Sequence, residues 1–440
     1  MIRIRSISLS FIGCLLITAW LLAAQVLAYT WLLSFCFVCF MCFIIWASFK
    51  GHALPILLFF LPWAPLIKFR PGTISVYTVA LLVVLLACLL FKNRRGASAK
   101  YVIPALGLAV LTLIVKLLYG YSISNAYVLF FAFLLAFPLV VREIDEGKYD
   151  FYDLTVFFSV GIIFAALSSR ALLEFSTISR FIEVHEQLAY KRYSGFYGDP
   201  NFYSAHITAA MAGILVLLSK LNHVGKRIFL VASLALLTYC GFLSVSKTFL
   251  VVAVCVLLLW FVQMLFQRGK ISGKLFTLLC ILVFGFFVLS STVFDSLVDL
   301  IVMRMVESSG NLTDLTTGRW TIWKNYLDEL WNHSALLFFG NGYTNVKLDS
   351  HTAHNTIIQA VYQFGITGTA MFVAWFWMYV QTMLRGVKVR SDMLMPIVIL
   401  LFGVVGPWMS LDMLFFDEIF LLTFYVLVGV RGLFTLKEID

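Results

Sequence analysis

Val79–Phe91 reads VALLVVLLACLLF and Leu250–Phe261 reads LVVAVCVLLLWF, and neither stretch alternates apolar with polar residues as a lipid-spanning barrel strand must. Each belongs to a longer apolar run of about 18 to 22 residues. At 1.5 Å per residue, that length crosses a hydrocarbon core of roughly 30 Å. Backbone polar groups inside lipid must be satisfied within the segment, which leaves the helix as the solution. The rest of the chain agrees: of 440 residues 62% are hydrophobic and 12% charged, against about a quarter charged in soluble domains. The expected fold class is all-α, a polytopic transmembrane helical bundle with residues 1–440 forming a single integral membrane domain.

The runs place about fourteen spans, at 9–28, 30–48, 53–67, 73–91, 101–119, 123–141, 152–173, 200–219, 228–245, 248–266, 275–294, 355–383, 393–411 and 413–430. The third is short and holds Pro55, Pro62 and Pro65, so it reads as a broken or re-entrant element, and twelve or thirteen spans stay open. The net charge of +10 does not point to nucleic acid, because the cations sit in short clusters between apolar runs. With the N-terminus inside, Arg3 and Arg5 together with the alternate connections account for 20 of the 32 basic residues, among them Lys92, Arg94, Arg95 and Lys100, and Arg385, Lys388 and Arg390. The positive-inside rule then sets both termini in the cytoplasm. Two long segments face outward, a smaller loop at 174–199 and a large one at 296–352 with an interfacial helix. Since loops carry function more often than scaffold does, the site is expected there.

All eight cysteines fall inside spans, so no disulfide framework is indicated. Cys36, Cys39 and Cys42 read as small apolar residues on one helix face. His351 and His354 form an H-x-x-H, but no carboxylate at metal-site spacing completes it, and no metal is expected.

Four stretches carry chemistry. HNTIIQAVYQFGITG, His354–Gly368, brings His354 and Asn355 to the outer end of a span, with Gly365 and Gly368 three apart. Such small residues permit close helix packing, and a histidine there can accept a proton near neutral pH. A routine interfacial histidine is the competing reading. TGRWTIWKNYLDELWN, Thr317–Asn332, predicts a surface helix whose apolar face is Trp320, Trp323, Leu327 and Leu330, with Arg319 placed to hold a phosphate. SVSK, Ser244–Lys247, sets Ser244, Ser246 and Lys247 beside a helix start as an anion site; a snorkelling lysine in a tight turn competes. KRYSGFYGDPNFYSAH, Lys191–His206, offers Arg192 as its cation, with Asp199 or Asn201 to cap the next helix.

His354-Asn355 followed by nine residues and Gly365-x-x-Gly368-Thr369 resembles the histidine signature of the O-antigen ligase and polymerase superfamily, the Wzy/WaaL type of bacterial membrane glycosyltransferase. Gly318-Arg319 with Trp323, and the FFGNGY run through Gly340 and Gly342, are similar to its large-loop pattern. The resemblance covers roughly residues 190–385. It implies a GT-C-type fold in the bacterial cytoplasmic (inner) membrane, acting on an undecaprenyl-diphosphate-linked oligosaccharide at the outer face. It implies neither cofactor nor metal. By position, His354 is the implied base for the acceptor hydroxyl. Arg319, Lys247 and Arg192 are the implied diphosphate contacts, and Asn355, Gly365, Gly368, Ser246 and Asn201 support them. Lys247 stands where the superfamily usually has Arg, which keeps the charge and loses the bidentate fork.

The leading expectation is a polysaccharide polymerase that joins lipid-linked repeat units. The alternative is a ligase that moves the finished glycan to lipid A core or another acceptor, and a flippase or transporter is the reading from a different class. Membrane lipids, a chain-length regulator and a flippase are candidate partners; nucleic acid is not. A transporter needs charge at mid-membrane, and Lys116 is expected to snorkel from near a helix end instead.

Overall fold

The computed structural model describes residues 2–70, 75–92, 99–182, 185–187, 190–266, 299, 302, 318–344, 347–348, 351–385 and 391–435. The expected span at 275–294 and much of the 296–352 loop lie outside the described residues.

The helices are α1 (Ile2–Leu27), α2 (Thr30–Lys50), α3 (Ala53–Phe60), α4 (Val76–Ala87), α5 (Ala99–Leu118), α6 (Asn125–Ala136), α7 (Pro138–Asp145), α8 (Phe151–Ala171), α9 (Ser176–Ser179), α10 (Pro200–Leu218), α11 (Val224–Leu243), α12 (Lys247–Phe266), α13 (Arg319–Asn332), α14 (Ser334–Phe339), α15 (Thr356–Met383), α16 (Ser391–Val405) and α17 (Phe416–Thr435). Ten described segments are long and apolar enough to cross a bilayer. Among the described residues the β-structure is one hairpin, β1 (His185–Gln187) paired antiparallel with β2 (Tyr190–Arg192), and an isolated antiparallel bridge between Leu348 and His351. The chain is an all-α polytopic bundle.

The centre is α10, buried along almost its whole length and packed against α8, α11, α12 and α16. Small residues make that closeness possible: a Cβ on Gly213 would lie 1.7 Å from the Tyr425 hydroxyl, and one on Gly403 would lie 2.3 Å from Ala212 Cβ. The proline-bearing third span is a short, fully buried α3 that tightens into a 3-10 turn at Leu61–Trp63. Pro65 has no N–H for the Leu61 carbonyl, which accepts instead from the Ala64 N–H at 3.1 Å and the Tyr197 hydroxyl at 2.9 Å.

Lys116 does not snorkel. It is 1% exposed, donates to the Ser122 carbonyl at 3.0 Å and lies over the Tyr127 ring at 5.1 Å. The turn after α5 folds back over it, and this provides the partners that a buried cation requires.

At 28 residues, α15 would run about 42 Å if unbroken, longer than a bilayer core needs. It breaks at Gly365 (φ 67, ψ 176). Residues 366–383 are enough to span, about 27 Å at the same rise, which leaves 356–364 as a separate short helix at one end of the bundle. Residues 119–124, 192–200, 243–248, 340–344, 351–356 and 406–415 gather at that same end.

Candidate active site

His354 precedes α15 in a left-handed conformation, φ 46, which costs a non-glycine residue about 1 to 3 kcal/mol and persists only where its surroundings enforce it. They do. The Asp412 carboxylate accepts the backbone N–H of His354 on Oδ2 and that of Asn355 on Oδ1, each at 3.2 Å. Asn355 Oδ1 in turn accepts from the N–H groups of Ile357 and Ile358 at 3.0 and 3.2 Å, capping α15. Thr356 Oγ1 donates to the Leu411 carbonyl at 2.6 Å and accepts from Met413 N–H at 2.9 Å. An extended strap, 411–415, therefore locks the start of α15.

The His354 ring is half-buried. Burial pulls its pKa below the ordinary 6.5; the Asp412 carboxylate pulls it back up, Arg319 pushes it down, and smaller effects come from Asp199 and His351. The ring is thus neutral near pH 7, the form that accepts a proton. Arg319→Gln removes a cation that lowers this pKa, so the acidic limb of kcat/KM should move to higher pH. Asp412→Asn removes an anion that raises it and should move the limb to lower pH. A pH–rate profile that stays fixed in both variants would remove His354 from the titration.

Arg319 opens α13 behind Gly318 (φ 79). The helix is fastened to the segment before His354: Trp323 Nε1 donates to the Ala353 carbonyl at 2.9 Å, and the Tyr326 hydroxyl donates to the His351 carbonyl at 2.7 Å. The face turned to the protein is Ile322, Trp323, Tyr326 and Leu330, not the Trp320, Trp323, Leu327, Leu330 stripe expected from periodicity. Trp320, Leu327 and Trp331 point outward, with Trp331 83% exposed. Periodicity located the helix, but tyrosine's hydroxyl, which needs a buried partner, selected the inner face. Beside it opens a cleft of about 380 Å³ lined by Gly318, Thr321, Asn325, Leu348 and His351.

The other two stretches meet each other. Ser246 Oγ donates to Asn201 Oδ1 at 2.8 Å and accepts from Phe249 N–H at 3.3 Å, so it caps α12. Ser244 is buried, its hydroxyl shared with Gly241 and Ser204. Both serines hold structure rather than offer an anion site. Lys247 is the first residue of α12 and half-exposed. Arg192 is buried, with Nε on the Ser244 carbonyl at 3.2 Å, so it braces the turn that carries Lys247. Asp199 caps α10 through Asn201 N–H at 2.7 Å while its charge reaches His354. Thr248 and Ser410 share a hydroxyl hydrogen bond, which ties α12 to the 3-10 turn that leads into the strap holding His354.

The FFGNGY run docks on the break in α15. The N–H groups of Asn341, Gly342 and Tyr343 donate to the Gln363 carbonyl at 3.2, 3.0 and 3.2 Å, and Gln363 Oε1 accepts from Thr344 N–H at 2.7 Å. Gly365 is therefore a helix break that receives Gly340, and Gly368 packs against Leu108 of α5.

Sequence reading missed Asp412. The signal was present: a lone carboxylate in an apolar turn, SLDMLFF, has to be partnered. Among the described residues, no three His, Cys, Asp or Glu side chains assemble as a metal-ligand set.

No curated protein matches the chain. Residues 231–373 match the family model Wzy_C, described as O-Antigen ligase; the match takes in Lys247, Arg319, His354, Gly365 and Gly368 and ends before Asp412. This matched segment, set in a bundle of membrane-length helices, is similar to the O-antigen ligase family.

Proposed function

We propose that this bacterial membrane protein transfers a glycan from undecaprenyl diphosphate to a hydroxyl acceptor at the outer face of the cytoplasmic membrane. The observation that carries the reading is a half-buried His354 whose backbone N–H is pinned by Asp412 and whose ring feels the Arg319 charge, with burial holding its pKa below the ordinary value. The acceptor O–H attacks the anomeric carbon. His354 takes its proton, and the bond to the diphosphate breaks with its electron pair leaving on oxygen. Arg319 and Lys247 offset that charge as it develops. Because the leaving group is already activated, the step calls for no divalent metal, and turnover in EDTA is expected to match turnover without it. Both termini are cytoplasmic in this reading, with the loops at 174–199 and 296–352 outside.

Within it the chain is a polymerase, which joins one lipid-linked repeat unit to another. A ligase is the second reading, favoured by the description of the matched family model. The glycan profile of a strain lacking this chain separates them. Surface glycan reduced to single repeat units supports the polymerase, and long lipid-linked chains that never reach their acceptor support the ligase. A profile identical to the parent's would reject both.

A further inference from the structure

At the far end of α13 from Arg319, a second cleft of about 450 Å³ opens toward solvent, walled by Tyr119, Tyr121, Tyr362, Glu329, Asn332 and Asn341. The two clefts lie along one helix face. Gly318, Ile322 and Asn325 line the first, Glu329 and Asn332 the second, and steps of four and three residues keep a row on one side of a helix. From Arg319 to Asn332 the row runs about 20 Å.

The chemistry of the second cleft differs from that around Arg319. Among the described residues no lysine or arginine lines it, and the Glu329 carboxylate lies 3.3 Å from His333 Nδ1, so its described lining carries no permanent cation to hold a phosphate. What it does offer is aromatic surface with amides at the rim. The Tyr119 and Tyr121 rings lie 5.9 Å apart on a turn held by Tyr121 N–H to the Lys116 carbonyl at 2.9 Å. Across from them Tyr362 is locked edge-on to Tyr326 at 4.8 Å, and the Asn341 backbone is fixed on the break in α15. A preformed concavity of ring faces with a few fixed polar groups suits a neutral, multiply hydroxylated ligand.

The geometry points to a saccharide subsite: resting on the glycan transfer proposed above, the cleft holds sugar residues of the lipid-linked chain remote from the diphosphate, with α13 as the track between the two ends. Tyr121 and Asn332 are binding residues here, distinct from the groups around His354.

The test uses the full chain in nanodiscs. The probe is the repeat-unit oligosaccharide released by mild acid from the lipid-linked donor of a strain that carries this chain, so it has neither lipid nor diphosphate. Wild type should bind it saturably. Tyr121→Ala with Asn332→Ala should weaken binding roughly tenfold, about 1.4 kcal/mol, and raise KM for the intact donor by a similar factor with little change in kcat. Tyr121→Phe, which keeps the ring, should bind as wild type does. Trp331→Ala, on the outward face of the same helix, should also leave binding unchanged. Tyrosines serving only as a membrane-interface belt would make the double variant and Trp331→Ala alike, and that result, or no saturable binding by wild type, overturns the subsite. Oligosaccharide binding without any transfer would instead retain the subsite and reject the transferase reading.

Discussion

His354→Asn is expected to lower glycan transfer by about 10²- to 10⁴-fold, the loss that accompanies removal of a general base, while the lipid-linked donor still binds. Asparagine is the informative replacement because of the backbone. At φ 46 alanine would add conformational strain to the loss of the ring, whereas asparagine tolerates the left-handed region. Its amide has no proton-accepting nitrogen, so base function is removed with the Asp412 contacts to the backbone left in place. Arg319→Gln should behave differently, weakening donor binding as well as turnover, since a charge-assisted phosphate contact contributes about 1.5 to 3 kcal/mol. Donor binding is measured with radiolabelled lipid-linked glycan and transfer by the length of product chains, in protein shown to accumulate normally. Wild-type chains from a well-inserted His354→Asn protein would reject the assignment and turn attention to His351, which lies close enough for its charge to act on His354.

The fold was legible because its signal lies along the chain. Each expected span apart from 275–294 is met by a described helix, since a bilayer imposes length and apolarity on every segment separately. Even the odd third span was marked by its prolines, which appear as the α3 break, where Ala64 N–H and the Tyr197 hydroxyl share the Leu61 carbonyl. The positions of His354, Arg319 and Lys247 at one end followed from the same pattern. What holds them did not, because it comes from residues far apart in sequence. Asp412 reaches the His354 N–H across 58 positions, and Asn201 reaches Ser246 across 45. Periodicity within one segment reports which residues share a face, but it is blind to what that face meets, which is why the inner side of α13 was misjudged. The serines of SVSK show the same limit: composition suggested an anion site, and three-dimensional bonding spends both hydroxyls on caps and braces.

Gly365→Ala and Gly340→Ala should be among the most damaging substitutions of a small residue in the chain, and a graded series of glycines shows why. Gly365 (φ 67, ψ 176) and Gly340 (φ 72, ψ −163) occupy a backbone region that is essentially glycine-only and costs about 1 to 3 kcal/mol for any other residue. They also face each other. A Cβ on Gly365 would lie 2.4 Å from the Phe338 carbonyl carbon and oxygen and Phe339 N, and one on Gly340 would lie 2.4 Å from Gly365 N. These are backbone atoms that cannot swing aside, so the FFGNGY turn would have to leave the break in α15, stranding the Gln363 carbonyl that its three N–H groups satisfy. Gly120→Ala isolates the first effect, with φ 69 and nothing within 4 Å. Gly368→Ala isolates the second, meeting chiefly side-chain atoms, Leu108 Cδ1 at 2.8 Å and Phe364 Cβ at 2.9 Å, on a helix of ordinary geometry. Thermal unfolding of the purified protein should therefore fall modestly for Gly120→Ala and Gly368→Ala and far more for Gly365→Ala. Gly365→Ala should also abolish transfer, because the segment it displaces runs directly into the one that positions His354. If Gly365→Ala were no more destabilising than Gly120→Ala, the docking of FFGNGY on the helix break would not be what fixes this end of the bundle.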